Sequence, residues 1–298
     1  MGRMFDALQK VEREKNRERK EESPAVSPEG LVLDNKLVTF FAPSSMASEQ
    51  FRRLRSYIIK PGTANSPKTI LVTSAMAGEG KSLVAINLAI TIATELHSYA
   101  LIIDCDLRNP ALSRWFGFRD SRGLADYLTG EASLQDLLVK TSIDKLSILP
   151  GGAITDNPVE LIGSNKMKSL MADLKSRYTD RYIIIDSSPL LATTEPSVLN
   201  EMVDGILLVI KSGDTPRESI QQALKLLDKN KIIGTVLNSM EFKTEAMIRR
   251  YFGTNRYYYG YHYGKFNPEP GIWWKFRSRW GRVKKFFGKR GPEKNKDR

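Results

Sequence analysis

A chain of 298 residues with 41% apolar content can bury the core of one large domain, and its 27% of charged residues is ordinary for a soluble fold. The single cysteine, Cys105, excludes an intrachain disulfide and suits a reducing compartment, with its thiol expected as a small buried group at a strand end. The formal charge of +12 is placed unevenly: residues 272–298 carry eleven Lys/Arg against two acids, a net of +9, so basicity belongs to the tail and not to the fold.

The opening MGRMFDALQK lacks the apolar region of a signal peptide. No stretch approaches the roughly 18 uninterrupted apolar residues that cross a bilayer, so a cytoplasmic location is expected. Residues 4–22 read as a short amphipathic start and a run of mixed charge, and SPAVSPEG at 23–30 as a polar linker. Together they make an arm over 1–37. A compact domain is expected over 38–245, a tyrosine-rich segment over 246–266 and a basic tail over 267–298. Inside the domain, apolar runs alternate with helical patterns. The runs are TILVT (69–73), ALIID (100–104), LSIL (146–149), YIIID (182–186), GILLVI (205–210) and IIGTVL (232–237). Consecutive apolar positions suit strands covered on both faces. Strands alternating with helices predict an α/β fold: a doubly wound, mostly parallel sheet with helices on both faces and ligands at the carboxyl ends of the strands.

The first run leads into Ser74-Ala75-Met76-Ala77-Gly78-Glu79-Gly80-Lys81-Ser82, and an apolar helical pattern follows. Gly78 and Gly80 allow the backbone to curl so that successive N–H groups face one anion, and the helix N-terminus adds partial positive charge there. Lys81 can reach the β- and γ-phosphates and the Ser82 hydroxyl can ligate Mg²⁺. Met76 through Ser82 is therefore the candidate ATP-binding loop. It is one residue short of the strict P-loop pattern, which asks for Gly where Ala75 stands. The bland reading is an ordinary glycine turn.

Two further runs end in acids: Asp104-Cys105-Asp106 and Asp186-Ser187-Ser188-Pro189. A carboxylate after four apolar residues is costly to bury without a cation or hydrogen bonds. At a strand's carboxyl end it can hold Mg²⁺ directly or through water, so Ser82, Asp104 and Asp186 form the candidate metal set. Asp104 or Asp106 can accept a proton from an attacking hydroxyl in phosphoryl transfer. The alternative for each acid is a cap on the helix that follows. With Lys81, the three aspartates are the candidate catalytic residues.

With these elements in order, residues 48–263 resemble the bacterial tyrosine kinases of capsule and exopolysaccharide assembly, an offshoot of the partition and cell-division ATPases. The resemblance implies that Ser74–Ser82 is the Walker A loop, 102–108 an extra acidic motif and 183–186 the Walker B strand. It implies a ring-assembly role for Glu49-Gln50-Phe51-Arg52-Arg53-Leu54-Arg55, through Glu49, Arg52 and Arg55, and an adenine contact at Asn238. It also implies a homo-oligomeric ring and a separate transmembrane chain-length regulator that activates the kinase. The chain departs from the family at Ala77, where Pro is usual, and at Ser187-Ser188-Pro189, where Thr-Pro-Pro is frequent. Met76 stands where partition ATPases place a second lysine, which speaks against their dimer-dependent hydrolysis.

Tyr251, Tyr257, Tyr258, Tyr259, Tyr261 and Tyr263 put six of the eleven tyrosines into thirteen residues, interrupted by glycines. A partner-binding patch is the alternative; the resemblance implies autophosphorylation sites. Beyond them Trp273, Phe276, Trp280, Val283 and Phe287 recur at a 3–4 spacing, so a helix there would be aromatic on one face and basic on the other. Such a helix suits an anionic membrane surface, with an acidic partner next and nucleic acid the least favoured. The expectation is an ATP- and Mg²⁺-dependent protein-tyrosine autokinase, peripherally attached to the inner membrane. Its competitors are a membrane-associated partition or positioning ATPase and an ATP-binding scaffold with little turnover.

Overall fold

Runs of Ile, Leu and Val too short for helices call for cover on both sides, and, except for the edge strand Ile232–Asn238, none of whose residues is fully buried, the computed structural model arranges them so. It describes residues 36–59, 66–117, 122–177 and 180–240. The expected arm, the tyrosine segment and the amphipathic tail lie outside the described residues, apart from Lys36 and Leu37.

The described chain opens with helices α1 (Val38–Phe41) and α2 (Met46–Ile58), followed by strand β1 (Thr69–Ser74), helix α3 (Lys81–Ala93) and strand β2 (Tyr99–Asp104). Short helices α4 (Leu112–Trp115), α5 (Leu124–Thr129) and α6 (Leu134–Leu137) lead to β3 (Val139–Lys140) and β4 (Leu146–Leu149). Then come α7 (Pro158–Gly163), α8 (Asn165–Arg177), β5 (Arg181–Asp186), α9 (Glu195–Met202), β6 (Gly205–Lys211), α10 (Arg217–Lys225) and β7 (Ile232–Asn238). All six expected runs are strands, in the order β3-β4-β2-β5-β1-β6-β7. Every pairing is parallel except β3 with β4. The two-residue β3 was not foreseen; a strand that short leaves no pattern to read.

Alternate strand residues face two separate cores. Ile70, Val72, Ile102, Ile184 and Leu207 join α2, α3 and α4 on one side, while Leu71, Ile103, Ile185 and Leu208 join α5–α10 on the other. Helix α3 is buried at every position from Val84 to Ala93, which is why its sequence is apolar all round. Burying each such Leu or Ile contributes about 1.5–3 kcal/mol of transfer free energy, so this helix is held by packing. Two polar residues interrupt it, and each is satisfied. Asn87 Oδ1 accepts from the Thr39 N–H at 3.1 Å and hydroxyl at 2.9 Å, tying α1 to α3, and the Thr91 hydroxyl donates to the Asn87 carbonyl at 2.7 Å. Helix α2 is capped by Ser45, which accepts from the Ser48 N–H.

Because β2, β5 and β1 are adjacent and parallel, their carboxyl ends come together. Asp104 lies directly opposite Asp186, and Asp186 opposite Val72, two residues before the strand's end at Ser74. That convergence builds the site.

Candidate active site

The loop after β1 turns through two left-handed glycines, Gly78 at φ 79° and Gly80 at φ 90°, as the sequence led one to expect. Gly80 also has no room for a side chain: a Cβ there would lie 2.0 Å from Asn238 Nδ2. Ala75, where the strict pattern asks for Gly, is fully buried and is not among the residues at positive φ, so its methyl group fits. Gly80 is the N-cap of α3, and Lys81 and Ser82 fill its first turn with the positive end of the helix dipole.

Glu79 carries a role that its place in the loop does not suggest. It is 3% exposed, and its carboxylate accepts from the Met76 N–H at 2.9 Å and from the Thr215 hydroxyl. Asn238 adds a second brace, its side-chain NH₂ donating to the Glu79 carbonyl at 2.9 Å. The phosphate loop is thus fixed from the ends of β6 and β7. Met76 itself is exposed.

Three aspartates crowd the acidic side, each differently engaged. Asp106 Oδ2 pairs with Lys81 Nζ at 3.2 Å, and its other oxygen accepts from the Asn109 N–H at 3.2 Å. Asp104 accepts three backbone N–H groups: from Asp106 at 3.2 Å on one oxygen, and from Ala111 at 2.8 Å and Leu112 at 3.0 Å on the other. The capping alternative therefore describes Asp104 well, since it gathers the loop that starts α4 while its carboxylate stays among the acids. Burial pushes its pKa up to about 6 against the pull of the Leu112 and Ala111 amides, with the Asp106 charge adding to the rise.

Asp186 is the outlier. It is fully buried, and neither carboxylate oxygen receives a well-formed hydrogen bond. Burial first, then the Asp104 charge, push its pKa up to about 8, although Lys81 and the Ser82 hydroxyl pull the other way. Two orphaned carboxylate oxygens beside a helix-start serine are the donor set that an oxygen-seeking divalent cation completes. Ser82 and Asp186 fit Mg²⁺ on that ground. Asp104, with three amides on its oxygens, has fewer lone pairs left for the role.

Other expected residues are engaged within the chain. On α2, Glu49 Oε2 and Arg52 Nη2 form an ion pair at 2.7 Å, and Arg52 Nη1 donates to the Pro43 carbonyl at 2.7 Å. Arg55 Nη1 donates to the Thr91 carbonyl at 2.9 Å. The expected phosphoacceptors Tyr251, Tyr257, Tyr258, Tyr259, Tyr261 and Tyr263, and the tail positions Trp273, Phe276, Trp280, Val283 and Phe287, lie outside the described residues. One pair went unread: Arg108 Nε donates to Glu195 Oε1 at 2.7 Å, strapping the loop after β2 to the start of α9 across 87 residues of sequence. Glu195 is 1% exposed and its second oxygen accepts no hydrogen bond. An acid in the first turn of a helix normally signals only the dipole, so nothing local pointed to Arg108.

Comparison with known proteins agrees with this geometry. The AAA domain family matches residues 67–239. Tyrosine-protein kinase YwqD of Bacillus subtilis (strain 168) is 32% identical over 227 residues, spanning 76% of this chain and 94% of that protein. Tyrosine-protein kinase CpsD of Streptococcus agalactiae serotype III (strain NEM316) is 29% identical over 212 residues, 70% of this chain and 88% of that one. Among solved structures, the chimerical protein CapA2B2 superposes with a TM-score of 0.64 at 30% identity, covering 72% of this chain and 96% of that chain. The kinase domain of the Escherichia coli tyrosine kinase ETK does so with a TM-score of 0.62 at 25% identity, covering 70% and 84%. With a braced glycine loop, a helix-start lysine paired to the acid after β2 and these relatives, the chain belongs to the bacterial tyrosine kinases.

Proposed function

We infer that the chain is an ATP-dependent protein-tyrosine autokinase that acts on its own segment 251–263, in trans within an oligomer, and thereby regulates assembly and export of an extracellular polysaccharide. The observation that carries this reading is the convergence of Lys81, Asp106 and the unsatisfied Asp186 at the start of α3. The loop amides between Met76 and Ser82 hold the phosphates, and Lys81 neutralises their charge. Ser82 and Asp186, with Asp104 beside them, hold Mg²⁺. When bound, that ion offsets the negative charge of the β- and γ-phosphates. Asp106 or Asp104 orients the tyrosine phenol and takes its proton as the phenol oxygen bonds to the γ-phosphorus and the bond to the β,γ-bridging oxygen breaks, releasing ADP. Positioning supplies most of the rate, since a phenol of pKa near 10 is a workable nucleophile once aligned.

Support for the surroundings comes from the family and the tail. Among the described residues no helix is long and apolar enough to cross a membrane. A separate transmembrane activator, a ring built through Glu49, Arg52 and Arg55, and peripheral attachment of the +9 tail to the inner membrane complete the reading. One incubation of purified chain with Mg²⁺ and ATP, probed with an anti-phosphotyrosine antibody, tests it. Strong signal is expected, absent in Lys81→Ala. ATP hydrolysis without that signal would instead favour a positioning ATPase, and nucleotide binding with neither activity a scaffold.

A further inference from the structure

A cavity of about 470 Å³ opens beside the acidic side of the site, within the usual size range of small-ligand pockets. Its wall is continuous with the catalytic centre. Asn109, which lines it, donates its N–H to Asp106 and accepts from Arg114 Nη2 at 3.1 Å on its side chain. Pro110, also lining it, packs on Gly151, and a Cβ at Gly151 would lie 2.9 Å from Pro110 and 3.5 Å from the Asp104 carboxyl carbon. Two exposed arginines, Arg114 and Arg122, line it, and among the described residues neither forms an ion pair. Among the described residues one acid, Asp126, shares the lining, and its Oδ2 accepts the Gly123 N–H at 2.6 Å. Ile154, 73% exposed, adds apolar surface to the same lining.

The combination is an anion-binding fork next to a slot for something flat and apolar. Guanidinium groups bind phosphate bidentately and stack on aromatic rings. We propose that this cavity is a phosphotyrosine site, filled by an already phosphorylated residue of the 251–263 segment while a neighbouring tyrosine enters the catalytic centre. The ligand assignment rests on the reading of that segment as the acceptor. Two features of the sequence select the phosphorylated form. From Arg249 to Lys265 the segment has four Lys/Arg and no acid, so before modification it is repelled by Arg114 and Arg122. Each phosphate brings about −1.5 to −2 of charge, so the residue that bears it is drawn to the guanidinium groups while the rest of the segment stays basic. Tyr257, Tyr259, Tyr261 and Tyr263 recur every second residue, and an extended chain places such neighbours about 7 Å apart, a step suited to two adjoining pockets. The first phosphorylation then tethers the segment and favours the next, so modification spreads along one chain before starting on another.

The test uses the full chain, freed of phosphate by a tyrosine phosphatase and kept without ATP. Fluorescence anisotropy measures a labelled peptide of residues 255–264, unmodified or with phosphate on Tyr259. The phosphopeptide is expected to bind at least ten-fold tighter. Arg122→Ala should weaken it several-fold, and Arg114→Ala/Arg122→Ala should bring it to the level of the unmodified peptide, with Mg·ADP affinity unchanged as the control for folding. Phenyl phosphate should compete better than inorganic phosphate. Equal affinity of the two peptides, or full phosphopeptide binding by the double variant, would overturn the proposal. Intact-mass spectra of autophosphorylated protein give a second readout: a bias toward multiply modified chains in the parent, and a random spread in the double variant at the same initial rate. Site mapping on the same samples addresses the acceptor reading separately. Phosphate absent from 251–263 sinks that reading, while a positive phosphopeptide result still upholds the arginine site.

Discussion

On the proposed reading, Asp186 ties metal affinity, protonation and fold stability together in one side chain. Its oxygens are buried without hydrogen bonds, and the folded state holds its proton up to about pH 8. A carboxyl that grips its proton more tightly folded than unfolded stabilises the fold fully below its unfolded pKa, near 4, and that contribution is lost as the pH climbs through the folded value. Metal-free protein is therefore expected to lose stability steadily from about pH 4 to pH 8, with Asp104 adding to the slope up to about pH 6. Denaturant melts in EDTA across that range check the sign, and a flat or rising profile would contradict it. Asp186→Asn should flatten the slope and raise neutral-pH stability by about 1–3 kcal/mol, because it replaces a buried unpaired acid by a neutral amide. The same variant should lower tyrosine phosphorylation by about 10²-fold or more, having lost the oxygen that seats the metal. Activity and stability moving in opposite directions is the signature of a functional group held at a cost to the fold.

At the scale of elements, the decisive feature is how β1, β2 and β5 deliver a loop and two acidic ends to one edge. That much was legible, because a parallel sheet covered on both faces writes its strands as unbroken apolar runs, as in TILVT and YIIID. The phosphate loop was legible for a similar reason, since Gly78 and Gly80 are demanded by positive φ. What joins distant segments was not. The Glu79 contact to Thr215 spans 136 residues and the Arg108 contact to Glu195 spans 87, and neither residue type at either end is unusual where it stands. Asp104 shows the intermediate case: its position was readable as a candidate ligand or as a cap, and only the amides of Ala111 and Leu112 reveal how much of it is spent on capping. Gly80→Ala tests the loop's packing. Its methyl group would meet Asn238 at 2.0 Å and its backbone would be held at φ 90°, so a destabilisation of about 2 kcal/mol and at least ten-fold weaker ADP binding are expected. Calorimetry and thermal melts read both, and normal values would show that the loop yields easily.

For the whole molecule, the excess positive charge is concentrated in the C-terminal sequence. Residues 272–298 carry a net of +9, and six phosphotyrosines over 251–263 would add roughly −9 to −12. Autophosphorylation is thus expected to weaken attachment to an anionic surface. Sedimentation with phosphatidylserine liposomes should show strong binding of the unmodified chain, several-fold weaker binding after ATP treatment, and no change on ATP treatment when the six tyrosines are replaced by Phe. Equal binding of the modified and unmodified chains would end the idea. Removing residues 267–298 should abolish attachment while leaving ADP affinity intact.

The end of β7 matters mechanically. Asn238 closes β7, and its side chain is hooked on the Glu79 carbonyl against Gly80. The end of the strand is thus fastened to the loop from which α3 grows. A pull on that end would load the hook first and strain the loop proposed to grip the phosphates. Tension could then set how quickly spent nucleotide escapes, making the enzyme's clock sensitive to what it is tied to.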